Sequence, residues 1–450
     1  MSEPSWVEHS IWWQVYPLGF LGADPTGVDR SVRRSLRGLI PWLDYIVALG
    51  ASGLALGPIF AATTHGYDTV DFERIDDRLG DEDDFAALVQ ACHERGLKVM
   101  LDGVFNHVGR EHPAYREVLE LGWEAPRAGW FALDAGPDGR PRARTFEGHD
   151  LLVELDHESP AVRDLVVDVM TRWCARGVDA WRLDAAYAVP PSFWAGVLPR
   201  VREAFPEVYV CGEVIHGEYA AIVRESGMDA VTQYELRKAT WSALNDGNLF
   251  ELAWALTRHD EMLATFVPWT FIGNHDVTRI ASQLRSPEFL AHALVVLLTV
   301  GGTPAIYAGD EQAYRGVKHE RVGGDDEVRP PFPQTPGELS KLGEPTYRLH
   351  QELIALRRRH PWLHRARTTQ VALTNEQLVY RVEALGAPGA DAGEQGRPQI
   401  VVALNIADTP AQLPAGGGRQ VLAGSAGAQV RARDEVTLPA RGWAILDAGE

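Results

Sequence analysis

The chain has 450 residues, 45% of them apolar and 23% charged, which is the make-up of an ordinary globular protein. That length exceeds what one hydrophobic core usually carries, so two or three domains are expected. The formal net charge of −19 argues against nucleic acid or an anionic membrane surface as a partner, although an acidic surface names no substrate.

The N-terminal stretch MSEPSWVEHS lacks a basic segment followed by an apolar core, so no secretory signal is expected. No apolar run reaches about 18 residues, and the longest candidate, 290–300, is interrupted by His292 and Thr299, which leaves no membrane span. Cys92, Cys174 and Cys211 are odd in number and scattered through apparent core elements. They read as reduced, buried thiols of a cytoplasmic protein, not as a disulfide frame or a zinc site.

From Ile11 to about His360, short apolar strands alternate with amphipathic helices. Eight strands are predicted, at 12–16, 53–56, 98–102, 178–184, 208–213, 230–233, 265–272 and 303–307. A helix over 81–95 opens with acidic residues suited to its dipole and stops before Gly96. Eight such units over this length predict a TIM (β/α)8 barrel, with a doubly wound open sheet as the structural competitor. The barrel is preferred because polar signals sit at the ends of several different strands. The barrel is assigned to 1–105 and 158–367, and 106–157, rich in Gly, Pro, Arg and aromatics, to a subdomain inserted after the third strand. Residues 309–341, dense in charge, Gly and Pro, predict irregular backbone lining the same face. Beyond 368 the pattern changes to strands between Gly/Pro/Ala turns, which predicts a C-terminal all-β sandwich over 368–450, with 386–397 a flexible loop by composition.

Within GVDAWRLD at 177–184, Arg182 and Asp184 fall on one face of a strand, because strand side chains alternate with period two. A cation beside a carboxylate holds it ionised, so Asp184 is expected to have a depressed pKa. Glu213 follows Val210, Cys211 and Gly212 in an apolar setting that favours the protonated form, as a general acid needs. Asp276 ends a third strand in FIGNHD. Two carboxyls about 5–5.5 Å apart are what a retaining glycosidase requires, one as nucleophile and one as acid/base. His107 and His275 then offer hydrogen bonds to sugar hydroxyls or developing charge.

LDGVFNH at 101–107, GVDAWRLDAA at 177–186, GEVIH at 212–216 and FIGNHD at 271–276 resemble, in order, the four signatures of the α-amylase superfamily, glycoside hydrolase family 13. The resemblance implies that Asp184 is the nucleophile, Glu213 the acid/base and Asp276 the carboxylate that stabilises the transition state, with Arg182, His107 and His275 at the sugar site. GYDTVDF at 66–72 is similar to a further motif in which Tyr67 stacks on the sugar and Asp68 binds its terminal hydroxyls. DDEVRPPF at 325–332 is similar to the loop that supplies Asp68 with an arginine partner, Arg329. Asp102 is expected to support Arg182 structurally. Asn106, a calcium ligand in relatives, is equally suited to a hydrogen bond within its loop. Asp24 and Asp29 lack the spacing of a calcium loop, and neither a metal nor another cofactor is assigned. Trp130, Phe146 and His216 are as consistent with packing or loop bonds as with sugar contact. LVELDHESP at 151–159 has Val153 and Asp156 where the family's short signature usually carries proline and asparagine. The resemblance implies an intracellular retaining hydrolase of maltooligosaccharides or small α-glucosides. The alternatives are a transglycosylase or isomerase using the same residues, and, remotely, an inactive carbohydrate-binding scaffold.

Overall fold

The computed structural model describes residues 3–321, 323–385, 397–431 and 434–448. Eight strands form one parallel sheet: β1 (Trp12–Val15), β2 (Gly53–Leu56), β3 (Lys98–Gly103), β4 (Ala180–Leu183), β5 (Tyr209–Gly212), β6 (Ala230–Val231), β7 (Trp269–Phe271) and β8 (Thr303–Tyr307). Their spatial order is β6-β5-β4-β3-β2-β1-β8-β7, and a parallel bridge from Thr232 to Trp269 joins the two outer strands and closes the barrel. Closure removes both sheet edges, so the open-sheet alternative is excluded. Each strand is wholly buried except at Lys98, because the barrel interior covers one face and the helices the other.

The helix Glu82–His93 starts where Asp81 and Asp84 form a reciprocal capping box, and the chain leaves it through Gly96 at φ 71°. The apolar run near 290–300 forms the helix Phe289–Thr299, buried all round between the barrel and the C-terminal strands. Its His292 Nε2 lies 3.2 Å from the carbonyls of Asn405 and Gly442, and Thr299 Oγ1 lies 3.1 Å from the Tyr380 hydroxyl. No helix among the described residues is long and apolar enough to cross a membrane.

An antiparallel pair after β2, Phe60–Ala62 with Thr69–Ile75, interrupts the simple alternation. Residues 106–157 carry strands of their own, with His107–Gly109 pairing Leu152–Glu154 and Leu133–Ala135 pairing Pro141–Ala143. Between 309 and 341 the described residues form only short 3-10 turns. From Ala366 onward a five-stranded sheet and a three-stranded sheet face each other. Alternation assigns the faces: Leu378, Tyr380 and Val382 join the core shared with the barrel, whereas Val379, Val401 and Leu446 pack between the two sheets against Leu413, Val436 and Leu438. Of the predicted loop at 386–397, residues 386–396 lie outside the described residues.

Candidate active site

Strand register brings the charged groups together before any side chain is considered. Arg182 on β4 pairs Asp102 on β3, and Leu183 pairs Gly212, one residue before Glu213. Arg182 Nη1 donates to both Asp102 oxygens at 2.7 and 2.6 Å and to Asp184 Oδ1 at 3.3 Å. Its Nη2 sits 2.7 Å from Glu213 Oε1, a charge contact without hydrogen-bond alignment. One guanidinium therefore touches three carboxylates, all buried. Asp184 and Glu213, 29 positions apart in the chain, lie one guanidinium from each other.

Glu213 is further fixed by the Tyr234 hydroxyl, which donates to Oε1 at 2.9 Å, and by the Ala185 amide, which donates to Oε2 at 3.1 Å. Ala185 has φ 46° and ψ 35°, a left-handed conformation that costs a residue with a Cβ about 1–2 kcal/mol. That turn follows Asp184, just past the end of β4, and leaves the amide facing Glu213. Asn274 Nδ2 donates to the Tyr234 hydroxyl at 2.8 Å, and Asn274 Oδ1 accepts from the Asp276 amide at 2.9 Å, which ties the loop after β7 to the same network.

Asp276 Oδ2 lies 2.9 Å from His275 Nε2, and Oδ1 accepts from Arg329 Nη2 at 2.7 Å. Burial alone would raise this carboxyl, but His275, Arg329 and Arg182 hold it well below the usual carboxylate range. Arg329 also donates from Nε to the His275 carbonyl at 2.9 Å and lies 4.6 Å over the Tyr16 ring. The Tyr67 hydroxyl donates to Asp102 Oδ2 at 3.1 Å and meets His275 Nε2, and the Tyr67 and His275 rings stack at 5.6 Å. His107 Nε2 donates to the Tyr67 carbonyl at 3.1 Å while Asn106 Nδ2 donates to His107 Nδ1 at 3.1 Å. Burial pushes the His107 imidazole down to about 3, so it is neutral. Phe146 stacks on the His107 ring at 4.8 Å, whereas Trp130 packs near His112 and Arg127 inside the insertion.

Two expectations need correction. Burial and then the Glu213 charge push the Asp184 carboxyl well above its ordinary range. Arg182 offsets this only in part, because Asp102 occupies its Nη1 at shorter range than Asp184 does. No ion pair joins Asp68 to Arg329 among the described residues: Arg329 pairs with Asp276 and, at 3.0 Å, with Asp325. Asp68 Oδ2 instead accepts from the Thr64 amide and hydroxyl, both at 2.8 Å, and its Oδ1 is buried without a partner.

Sequence reasoning missed Tyr234, Asn274 and the Ala185 amide, which contact Glu213 or each other through bonds that no local pattern encodes. The nearest signal was the Asn of FIGNHD. Asn106 spends its amide on His107, and no group of three or more His, Cys, Asp or Glu among the described residues is arranged to hold a metal ion. A cavity of about 610 Å³ lies not at the carboxylates but beside the insertion, lined by Trp123, Phe131, Arg144, Glu154 and Asp156 among others.

Comparison with known proteins places this geometry in a family. The model of the α-amylase catalytic domain matches residues 14–336. A cyclomaltodextrinase from Geobacillus thermopakistaniensis is 31% identical over 444 residues, covering 91% of this chain and 71% of that protein. A maltogenic α-amylase from Bacillus acidopullulyticus is 32% identical over 344 residues, covering 70% of this chain and 58% of that protein, so the chain spans less than two thirds of that relative's length. Among solved structures, the cyclic α-maltosyl-(1→6)-maltose hydrolase of Arthrobacter globiformis superposes with a TM-score of 0.80 at 26% identity, covering 99% of both chains. The chain belongs to the α-amylase family, glycoside hydrolase family 13.

Proposed function

We propose that this chain is a retaining hydrolase of α-glucosidic bonds in maltooligosaccharides or small α-glucosides, linear or cyclic. The observation that carries the reading is the single guanidinium of Arg182 touching Asp102, Asp184 and Glu213. In the first step Asp184 attacks the anomeric carbon while Glu213 gives its proton to the leaving glycosidic oxygen. The bond to the leaving sugar breaks and a β-glycosyl–Asp184 ester forms. In the second step Glu213 takes a proton from water, whose oxygen attacks the same carbon and releases Asp184. The productive arrangement has the proton on Glu213 and the charge on Asp184, beside Arg182.

Asp276 is the third participant in this scheme. Its permanent charge, maintained by His275 and Arg329, stabilises the oxocarbenium-like transition state. Tyr67 supplies a ring face to the sugar, and His107, locked as a neutral donor to the Tyr67 carbonyl, positions that ring. Asp68, with one oxygen unpartnered, offers an acceptor to sugar hydroxyls. All chemical steps are assigned to side chains. We place the protein in the cytoplasm, in keeping with three buried, unpaired cysteines.

The test is product analysis on maltotriose, with and without added glucose, for the wild-type protein and Asp184→Asn. Glucose and maltose as first products, and a fall in kcat of roughly 10⁴-fold or more in the variant with its unfolding midpoint retained, are expected. Early formation of longer or isomeric oligosaccharides assigns the second step to a sugar acceptor instead of water.

A further inference from the structure

The loop after β8 supplies Arg329, and one nitrogen of that side chain serves two carboxylates. Nη2 lies 2.7 Å from Asp276 Oδ1 and 3.0 Å from Asp325 Oδ2. Asp325 belongs to the same turn as Arg329: its carbonyl accepts from the amides of Val328 and Arg329 at 3.0 and 3.1 Å. Left to itself, the turn moves as one piece and carries Arg329 with Asp325. What keeps the guanidinium on Asp276 must be the attachment of the turn to the barrel.

Two contacts make that attachment. Before Arg329, the carbonyl of the buried Val328 accepts from the hydroxyl of Tyr307, the last residue of β8, at 2.8 Å. After it, the Arg329 carbonyl lies so close to Gly19 that a Cβ there would collide with it. A steric stop resists approach alone, whereas a directional hydrogen bond also resists withdrawal. The Tyr307 ring is held in turn by Arg279, whose guanidinium lies 4.4 Å from its centroid. Arg279 is buried, and its Nη1 donates to the Ala308 carbonyl at 3.0 Å and to Asp310 Oδ1 at 2.9 Å. Its Nε and Nη2 have no hydrogen-bond partner, and the ring faces of Tyr307 and Tyr314 stand where acceptors would.

Asp310 balances the Arg279 charge. Burial pushes its carboxyl up to about 6, and Arg279 and Arg237 draw it part of the way down. Its Oδ2 packs against Gly273, where a Cβ would collide with it. Gly273 and Arg279 bracket the loop that carries Asn274, His275 and Asp276, so this loop and the end of β8 are fastened to each other. Among the described residues, no hydrogen bond or ion pair joins Tyr307, Arg279 or Asp310 to Asp184, Glu213 or Asp276. We propose that Tyr307, braced by Arg279 and Asp310, is a positioning residue that keeps Arg329 on Asp276 instead of Asp325. The proposal rests on the hydrolase reading above, in which the Asp276 charge meets the transition state.

The test is a double-mutant cycle on kcat and KM for maltotriose, using the wild-type protein, Tyr307→Phe, Asp325→Asn and the pair together. Tyr307→Phe keeps the ring beside Arg279 and removes one hydroxyl. It is expected to lower kcat about tenfold and to change KM by less than about twofold, because Asp276 acts on charge that develops in the transition state. In the Asp325→Asn background, where no second charge competes for Arg329, the same substitution is expected to cost less than about threefold. A loss of equal size in both backgrounds overturns the proposal, since a hydroxyl that merely supports the fold is blind to Asp325, and so does no loss in either. Asp310→Asn, which loosens Arg279 and leaves Tyr307 intact, is expected to repeat the pattern and serves if Tyr307→Phe does not fold. A crystal structure of either variant reads the displacement without substrate: Arg329 Nη2 should lie beyond about 3.5 Å from Asp276 and remain on Asp325. Arg329 still bonded to Asp276 there overturns the proposal. Absence of hydrolysis by the wild-type protein on every α-glucoside would count against the proposed function, and the crystal structure still decides the role of Tyr307.

Discussion

Replacing Arg182 by methionine keeps a long side chain in the barrel but removes the one cation that touches Asp102, Asp184 and Glu213. The residues concerned are 6%, 2%, 7% and 6% exposed, so solvent cannot substitute for the lost charge. Removing one partner of a buried pair costs about 3–5 kcal/mol, and here three carboxylates lose their counter-charge at once. The carboxyls can escape part of that cost by binding protons. Burial already raises Asp102 and Asp184 above their ordinary range, and without Arg182 they rise further. A carboxyl raised on folding keeps a proton that the unfolded chain has shed, so its contribution to stability falls as pH rises. The deficit of Arg182→Met relative to the wild type is therefore expected to be larger at pH 8 than at pH 5. Urea-unfolding midpoints followed by tryptophan fluorescence at the two pH values measure it, and kcat is expected to fall by about 10²–10³ or more at both. An equal deficit at pH 5 and pH 8, or none, would refute the argument that this guanidinium compensates buried ionised carboxylates.

Two further substitutions probe the surroundings of the site. A Cβ on Gly109 would stand 2.5 Å from the Asp68 carbonyl oxygen and 2.9 Å from its carbon, so Gly109→Ala must displace the backbone that presents Tyr67 and Asp68. A stability loss of about 1–3 kcal/mol with a raised KM is expected, and unaltered kinetics would show that this loop is free to move. Burial lifts the Glu311 carboxyl from 4.5 to about 7, so between those values the folded chain holds a proton that the unfolded chain has lost, at a cost on the order of 3 kcal/mol by pH 8. Glu311→Gln, which cannot ionise, should gain stability relative to the wild type on going from pH 5 to pH 8, and chemical denaturation showing a pH-independent difference would contradict the sign.

The barrel was legible because its strands are short apolar runs between polar ends, a pattern that needs no long-range information. Exact ends were not: the run 178–184 forms a strand only over Ala180–Leu183, because Ala185 turns left-handed and Asp184 must leave the sheet to face Glu213. The run 230–233 contracts to the two residues Ala230–Val231, since Thr232 is committed to closing the barrel on Trp269. The pair Phe60–Ala62 and Thr69–Ile75 is not legible in this way, since its second strand overlaps the sugar-site motif GYDTVDF.

The charge state of Asp184 shows why the rest of the site could not be read from the chain. Along the sequence Arg182 has one obvious carboxylate neighbour, two residues away, and the inference of a depressed pKa follows. Across the sheet it has another, because parallel register sets Asp102 directly opposite. Asp102 takes both short bonds, Glu213 takes the second nitrogen, and Asp184 is left with the longest of the contacts. Tyr234 and Asn274 enter in the same way, from the helix after β6 and the loop after β7: Tyr234 bonds the same Glu213 oxygen that Arg182 touches, and Asn274 bonds Tyr234. Local pattern identifies which residues can carry the chemistry. The register between strands decides how charge is shared among them, and so decides which carboxyl must give up its proton before the reaction can start.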